Sequence, residues 1–176
     1  INTISMCVCL SFVFVGPQRT GTTWIYDVLR EHNALCLPRS VKETLFFDRR
    51  YDRGVDWYSQ YFGHCSCDQK CGEVAPTYFD TAKAPERIEK RRPHTQVVSS
   101  LRAADERAFS LYRQELRTQR VTGNCREATE QQSRMITSGD YERHISRWLD
   151  VVPTENIHYL LMDDIKDEAQ SVLDTI

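Results

Sequence analysis

The chain has 176 residues, which fits one domain of ordinary size. Hydrophobic residues make up 40% and charged residues 27%, a composition typical of a globular protein rather than a disordered one. The net charge of −2 argues against a nucleic-acid-binding protein, although arginines cluster within residues 87–92 and 102–120.

An apolar stretch from Ile4 to Val15 lies near the start of the chain. It is too short to cross a bilayer, which takes about 20 apolar residues. No basic residue precedes it and no small-residue cleavage site follows, so it does not fit a signal peptide. We interpret it as a strand with its lead-in, because the run from Phe12 to Gly16 is typical of a buried parallel strand.

A turn from Pro17 to Gly21 follows this strand, and a helix follows the turn. The apolar face of this helix is predicted to comprise Trp24, Ile25, Val28 and Leu29. Strand, turn and helix together form an anion cradle, because free N–H groups and the positive helix end converge there. The Gly16-x4-Gly21 spacing matches a P-loop, but Thr22 stands where a nucleotidase has lysine. The stretch therefore predicts a phosphate site without ordinary ATP or GTP chemistry.

Lys42 and Glu43 end a predicted loop that begins at Pro38 and precedes two phenylalanines. A carboxylate held partly dry beside aromatic rings has a raised pKa, which suits a general base. Glu43 is therefore a candidate base. The alternative is a surface Lys–Glu pair that caps a helix.

The chain has seven cysteines, an odd number that leaves at least one of them without a partner in the same chain. Cys65, Cys67 and Cys71 lie close together beside His64. This spacing lacks the second ligand pair that is typical of a tetrahedral zinc site. A zinc site, a disulfide and free thiols in a loop all stay open, and so does the redox compartment.

Three further segments lie near this cysteine loop: residues 55–62 precede it, residues 72–78 follow it, and residues 81–91 come next. Residues 55–62 predict an aromatic-rich helix or turn, and residues 81–91 predict a surface helix. Residues 72–78 predict a short strand and a proline turn, in which Glu73 either orients a substrate or has a structural role.

A strand predicted from Thr95 to Leu101 runs into Arg102. The helix that follows, over residues 105–120, is predicted to have an apolar stripe of Ala108, Phe109, Tyr112 and Leu116. Ligands of open α/β sheets bind beyond the carboxyl ends of the strands, where Arg19 and Arg102 both fall. With Ser110, these arginines fit a ligand with phosphates at two ends. The alternative is a solvated arginine and an ordinary helix serine.

The last third of the chain begins with an irregular excursion over residues 120–135, which show no periodicity. Residues 138–140 are then predicted to cap a helix that carries Tyr141, Ile145, Trp148 and Leu149. A third strand is predicted over residues 157–161, and a final helix carries Ile165, Ala169, Val172, Leu173 and Ile176. This alternation predicts an α/β fold with a central parallel sheet covered on both faces.

Two motifs, in this order, resemble those of sulfotransferases that use 3′-phosphoadenosine-5′-phosphosulfate (PAPS). Residues 16–23 (GPQRTGTT) resemble the 5′-phosphosulfate loop of heparan sulfate N-sulfotransferases. Residues 101–112 (LRAADERAFSLY) resemble the 3′-phosphate motif, with Arg102 and Ser110 at its spacing. Residues 42–48 (KETLFFD) are similar to heparan sulfate sulfotransferases of the N- and 3-O-classes.

The resemblance implies a P-loop-like three-layer α/β/α fold. It implies one sulfotransferase domain over residues 1–176, lacking the family's C-terminal segment. The implied reaction is in-line transfer of a sulfuryl group from PAPS to a hydroxyl or amine, with a carbohydrate as the expected acceptor. It requires no metal, and we expect no nucleic-acid partner and no membrane span.

The resemblance also implies roles for individual residues. Glu43 would be the catalytic base, and Arg19 and Lys42 would act at the sulfuryl group. The implied PAPS contacts are Arg19, Thr20, Gly21, Thr22, Thr23, Trp24, Arg102 and Ser110.

Three departures from the family pattern accompany this resemblance. Arg19 stands in place of a lysine of the heparan enzymes, and Val74 in place of a lysine of the 3-O-enzymes. Residues 103–104 (AA) replace Asn-Pro or Asp-Pro. Two other functions stay open: a P-loop kinase or nucleotidase, which the missing lysine disfavours, and a truncated, non-catalytic nucleotide-binding module.

Overall fold

A five-stranded parallel sheet forms the centre of the molecule within residues 10–167, the part of the chain that this computed structural model describes. The strands are β1 (Leu10–Phe14), β2 (Leu35–Cys36), β3 (Lys70–Val74), β4 (Gln96–Leu101) and β5 (Ile157–Leu161). Their order is β2-β3-β1-β4-β5, and every neighbouring pair is parallel. The carboxyl ends of the strands therefore share one edge, and the predicted α/β class is confirmed.

Helices lie between these strands and after the last of them. They are α1 (Thr22–Glu31), α2 (Phe46–Arg49), α3 (Val55–Ser59), α4 (Ala84–Arg91), α5 (Ala104–Arg117), α6 (Cys125–Gln131), α7 (Arg134–Thr137), α8 (Tyr141–Leu149) and α9 (Met162–Asp167). Within residues 10–167, none of them combines the length and the hydrophobicity that a membrane span requires.

The pleat of β1 divides the core into two layers. Phe12 and Phe14 pack with Ile25 of α1 on one face of the sheet. Val13 packs on the other face with a large aromatic cluster that includes Phe46 of α2. Alternate residues of a strand point to opposite faces, so one short apolar strand anchors both helical layers. The three-layer α/β/α arrangement follows from this division.

All three predicted strands are present. The ends of β5 are as predicted, whereas both ends of β1 and the start of β4 differ from the prediction. The first ends at Phe14 rather than Gly16, because Gly16 turns the chain with a φ of 87°. The strand predicted after the cysteine loop is also present, and it begins earlier, at Lys70. The two-residue strand β2 was missed, because an edge strand this short leaves no pattern in the sequence.

Two predictions about helix faces are wrong. Trp24 is 39% exposed and lies off the buried face of α1, which carries Ile25 and Leu29. In α5 the buried residues are Arg107, Leu111 and Glu115, whereas Phe109 of the predicted stripe is 53% exposed. Leu111 of α5 packs with Val121, Ala128 and Met135 in a small separate core. The position of this core decides which face of α5 is buried.

The predicted irregular excursion over residues 120–135 is also wrong. It contains α6 and the start of α7, which pack with α5 around a separate core of Leu111, Val121, Ala128 and Met135. Asn124 and Glu127 form a capping box that begins α6. We call residues 121–137 the small lobe.

The remaining predictions concern the cysteines and the final helix. A disulfide joins Cys36 to Cys65, so the disulfide alternative is confirmed with a partner outside the predicted cysteine cluster. The final predicted helix begins as α9, in which Ile165 is buried. Its other predicted apolar positions, from Ala169 onward, lie outside the described residues, as do residues 1–9 of the N-terminal stretch.

Candidate active site

The turn between β1 and α1 is held in place by buried hydrogen bonds from β4. The Ser99 hydroxyl donates to the carbonyl of Gly16, and the Ser100 hydroxyl donates to the carbonyl of Thr20 at 2.8 Å. Thr20 is fully buried, and its own hydroxyl donates to the carbonyl of Pro17 at 2.7 Å. The Thr20 side chain is thus committed inside the loop, so only its backbone remains for a ligand.

Two glycines give this loop its shape. Gly16 has positive φ, and a Cβ there would lie 2.6 Å from the Cα of Pro76, so only glycine fits. Gly21 begins α1 in the left-handed region, with a φ of 83° and no side-chain cap. The first turn of α1 also carries no acidic residue. Its N–H groups and positive dipole end are therefore suited to an anion.

Arg19 joins this loop to α5. Its backbone has a φ of 73°, and its guanidinium donates to Ser110 Oγ at 3.0 Å and to Gln114 Oε1 at 2.6 Å. Arg19 and Ser110 were predicted for opposite ends of one ligand, and the structure brings them into direct contact. A cavity of about 240 Å³ opens here, lined by Arg19, Ser110, Arg113, Gln114 and Arg117.

Sequence analysis missed the last three of these lining residues. They follow Ser110 at intervals of three, four and seven positions, and residues at such intervals share one face of a helix. Helical spacing from Ser110 was thus a signal that could have found Arg113, Gln114 and Arg117.

The charge around this cavity is predominantly positive. Partial burial lowers the pKa of Arg19, and the nearby charges of Arg117 and Arg102 lower it further. Arg102 lies directly after β4, as predicted, and its Nε donates to Glu106 Oε2 at 3.0 Å. Arginines that repel one another at a concave surface are stabilised by a bound anion. The cavity therefore suits a ligand with more than one negative charge.

Lys42 and Glu43 lie against the start of α1. Lys42 Nζ donates to the hydroxyls of Thr22 at 3.3 Å and Thr23 at 3.4 Å, and lies 3.6 Å from Glu43 Oε1. Burial lowers the pKa of Lys42. Burial also raises the pKa of Glu43, while the charge of Lys42 opposes that rise. The carboxylate of Glu43 is thus partly buried, as expected. The alternative that Glu43 caps a helix is wrong, because the N-cap residue of α2 is Leu45 and α2 begins without any side-chain cap.

Glu73 has the structural role that the sequence left open. It is fully buried and accepts hydrogen bonds from the Thr44 N–H at 2.7 Å and the Thr44 hydroxyl at 2.6 Å. The hydroxyls of Tyr58 and Tyr78 donate to it at 3.0 and 3.2 Å. Glu73 therefore fixes Thr44, the residue next to Glu43, without reaching the surface.

The small lobe also touches this region, which the sequence did not indicate. Arg134 of α7 makes a bidentate pair with Asp80, at 2.6 and 2.7 Å. A third nitrogen of Arg134 lies 3.5 Å from Gln18 Oε1 in the turn between β1 and α1. The negative charge of Glu43 is among the causes that raise the pKa of Arg134, after the hydrogen bond with Asp80. No sequence pattern links positions so far apart in the chain.

The chain is similar in sequence to known proteins. The family model described as Sulfotransferase domain matches residues 11–176. A bifunctional heparan sulfate N-deacetylase/N-sulfotransferase 2 of Mus musculus is 31% identical over 178 residues, which are 86% of this chain and 19% of the relative. The corresponding Drosophila melanogaster protein is 27% identical over 85% of this chain and 17% of the relative. The chain thus spans about a fifth of the length of these curated relatives.

Solved structures share the fold. A sulfotransferase from Alicyclobacillus acidocaldarius superposes with a TM-score of 0.84 at 22% identity, covering 93% of this chain and 77% of that one. A sulfotransferase domain from the curacin biosynthetic pathway gives 0.69 at 14% identity, covering 94% of this chain and 72% of that one. At these identities the likeness concerns the fold alone.

Proposed function

The chain belongs to the sulfotransferase domain family, and from this premise we propose that it transfers a sulfuryl group from PAPS to a glycan hydroxyl or amine. The observation that carries the proposal is the pairing of two features at one edge of the sheet. One is the arginine-lined cavity between Arg19 and Ser110. The other is the half-buried Glu43 beside Lys42, which contacts the start of α1.

The residues of the loop and of α5 fit the two charged ends of PAPS. We assign the 5′-phosphosulfate to Arg19, to Lys42, to the backbone of residues 20–23 and to the hydroxyls of Thr22 and Thr23. Arg102 and Ser110 are assigned to the 3′-phosphate. Arg113 and Arg117 line the cavity with Ser110 and add positive charge to it, whereas Arg102 lies outside this lining. Trp24 is exposed at the start of α1 and is assigned to the nucleoside. The mutual repulsion of Arg19, Arg102 and Arg117 supports a doubly charged ligand.

The 3′-phosphate assignment is what would distinguish PAPS from ATP. ATP has no phosphate at the 3′ position, so Arg102 and Ser110 would gain no anion from it. The loop also has Thr22 in place of the lysine that contacts the β- and γ-phosphates in P-loop enzymes. Selectivity for PAPS would therefore come from the α5 side of the site.

Glu43 is proposed as the general base. When bound, PAPS supplies the sulfuryl group and a bisphosphate leaving group. Partial burial raises the proton affinity of Glu43, so its carboxylate can accept the proton of an acceptor hydroxyl or amine. The charge of Lys42 opposes that rise in the pKa of Glu43, and so favours the ionised carboxylate. Positive charge from Arg19 and Lys42 stabilises the charge that develops on the leaving group.

The glycan acceptor is the finest part of the proposal. It is supported by the names of the relatives, which describe them as heparan sulfate N-sulfotransferases. Val74 is fully buried in β3, so the lysine that 3-O-enzymes carry at this position has no counterpart at the surface. An N-sulfotransferase-like acceptor, with a free amine, is therefore the first to test.

Calorimetry with adenosine 3′,5′-bisphosphate tests the donor site, with adenosine 5′-monophosphate and Mg-ATP as matched ligands. We expect the bisphosphate to bind without added Mg²⁺ and at least about tenfold more tightly than the monophosphate, a difference of about 1.4 kcal/mol. Tighter binding of Mg-ATP would instead favour a kinase or nucleotidase.

Transfer of labelled sulfate from PAPS tests the reaction, with N-deacetylated heparan, heparan sulfate and a simple phenol as acceptors. Labelled product from the amine-bearing glycan would support the whole proposal, and product from the phenol alone would overturn the glycan acceptor. Bisphosphate binding without transfer to any acceptor would favour a non-catalytic nucleotide-binding module.

A further inference from the structure

Cys36, His64 and Cys65 form a cluster that shares no residue with the candidate active site. Cys36 ends the edge strand β2, and His64 and Cys65 follow the aromatic segment of α3. A disulfide joins the two cysteines, whose Cα atoms lie 5.7 Å apart, and His64 Nε2 lies 3.2 Å from Cys36 Sγ. One potential ligand atom from each residue lies within 4.8 Å of the other two. We call these three residues the Cys–His cluster.

We propose that reduction of the disulfide converts the Cys–His cluster into a Zn²⁺ site. Cys36 and Cys65 would bind the metal as thiolates, and His64 would bind it through Nε2. Two sulfurs and one imidazole nitrogen are the ligand types that Zn²⁺ prefers, and catalytic zinc sites commonly have three protein ligands. This proposal is independent of the sulfotransferase activity.

The chemistry of this conversion balances with a phosphine as the reductant. The phosphine attacks one sulfur, the S–S bond breaks, and water converts the phosphine to its oxide while both sulfurs become thiols. Binding of Zn²⁺ then releases the two thiol protons, because the thiolate is the ligand. A disulfide sulfur has no thiolate character, so the oxidised cluster has no comparable affinity for the metal.

The geometry requires only a small rearrangement. Two thiolates on one tetrahedral zinc lie about 3.8 Å apart, since each Zn–S bond is about 2.3 Å. Opening of the disulfide lets the sulfurs separate to this distance. A sulfur and an imidazole nitrogen on the same metal lie about 3.5 Å apart, close to the 3.2 Å already present between Cys36 and His64.

The surroundings leave room for the fourth ligand. Cys36 and His64 line a cavity of about 270 Å³, together with Arg39 and Gln69. A water molecule from this cavity can complete the tetrahedron. Two thiolates and one Zn²⁺ are neutral together, so the charge of Arg39 does not oppose the assembled site, and it favours thiolate formation before the metal arrives.

The test is a Co²⁺ titration of the full chain after reduction with a phosphine, followed by competition with Zn²⁺. We expect a sulfur-to-cobalt charge-transfer band in the reduced protein, which Zn²⁺ removes, and no such band in the oxidised protein. His64→Ala should weaken Co²⁺ binding by about tenfold or more, since it removes a ligand. His64 is exposed, so this variant is expected to fold, and circular dichroism checks it.

Cys67→Ser is the matched control, because Cys67 is an exposed thiol two positions from Cys65. Unchanged Co²⁺ affinity in Cys67→Ser supports the assigned ligands. The proposal is overturned if reduced wild-type protein shows no band, or if His64→Ala binds as tightly as wild type. It is equally overturned if the band disappears in Cys67→Ser and persists in His64→Ala.

Discussion

Glu43 and Glu73 are two carboxylates whose pKa values burial raises, yet they lie in contrasting surroundings. Glu43 lies at the rim of the site, half-buried, with Lys42 as its charged neighbour. Glu73 lies inside the aromatic layer and accepts hydrogen bonds from Thr44, Tyr58 and Tyr78. A general base needs a free lone pair within reach of a substrate, and only Glu43 is placed to offer one.

Two arginines of neighbouring segments also differ in their access to a ligand. Arg102 at the rim is paired with Glu106, whose carboxylate is itself exposed to solvent. Arg107 in α5 is fully buried, and its Nη2 donates to the carbonyl of Met135 in the small lobe. Burial raises the pKa of Glu43 and of the enclosed Glu73 alike, so a shifted pKa does not identify a functional residue by itself. Access to a ligand makes the distinction.

Glu43→Gln should give the largest effect, because it removes the proposed base and keeps the size of the side chain. We expect sulfuryl transfer to fall by about 10³-fold, within the range for loss of a general base. The melting temperature should stay within about 1 °C, because Glu43 supports no buried network. Rate measurements with saturating PAPS and thermal unfolding check the two halves of this prediction.

Glu142→Gln is the matched control, because Glu142 is an exposed acid on α8. The pH profile adds a second readout. Burial raises the pKa of Glu43 above its ordinary value of 4.5, and the base acts only when ionised, so activity should rise with pH above that value. Full activity of Glu43→Gln would show that the rim carboxylate is not the base.

Glu73→Ala should show the opposite pattern, with a loss of stability of about 3 kcal/mol. It removes the acceptor of Thr44 and of two tyrosine hydroxyls, all of them buried. Glu73→Gln keeps an acceptor for Thr44 and should cost about 1 kcal/mol. Chemical denaturation measures both variants, and equal stability of Glu73→Ala and wild type would contradict the structural role.

Arg102→Ala should weaken binding of adenosine 3′,5′-bisphosphate by about tenfold or more, which is about 1.4 kcal/mol. The reason is loss of the positive charge assigned to the 3′-phosphate. Binding of adenosine 5′-monophosphate should change much less, because it lacks that phosphate. Arg126→Ala, at a 90% exposed arginine of α6, is the control in the same calorimetric series. An unchanged dissociation constant in Arg102→Ala would remove this arginine from the site.

Glu106→Gln should give the smallest effect, and in the opposite direction. Glu106 pairs with Arg102 at 3.0 Å and is 57% exposed, so the pair is weak. Without the negative charge, adenosine 3′,5′-bisphosphate should bind about two- to fivefold more tightly, or about 0.4–1 kcal/mol. Weaker binding in the same calorimetric experiment would instead make Glu106 part of the ligand site.

Much of the fold and the turn between β1 and α1 could be predicted from local sequence. The apolar run before Gly16 and the strand before Arg102 are continuous patterns, and both strands are present in the sheet. Gly16 and Gly21 were predicted to bound the turn, and both have positive φ. The small lobe could not be predicted, because its core depends on contacts between α5, α6 and α7 rather than on periodicity in any one of them.

The sequence by itself determined the parallel α/β class, the glycine-bounded turn after β1 and the family, because each depends on residues near one another in the chain. Tertiary structure alone decided that Arg19 contacts Ser110, that Cys36 pairs with Cys65, and that Glu73 is enclosed. These contacts join positions 29 to 91 residues apart, or depend on which side chains surround a group. Distances of that kind are set by how the layers pack on the sheet, and no local pattern encodes them.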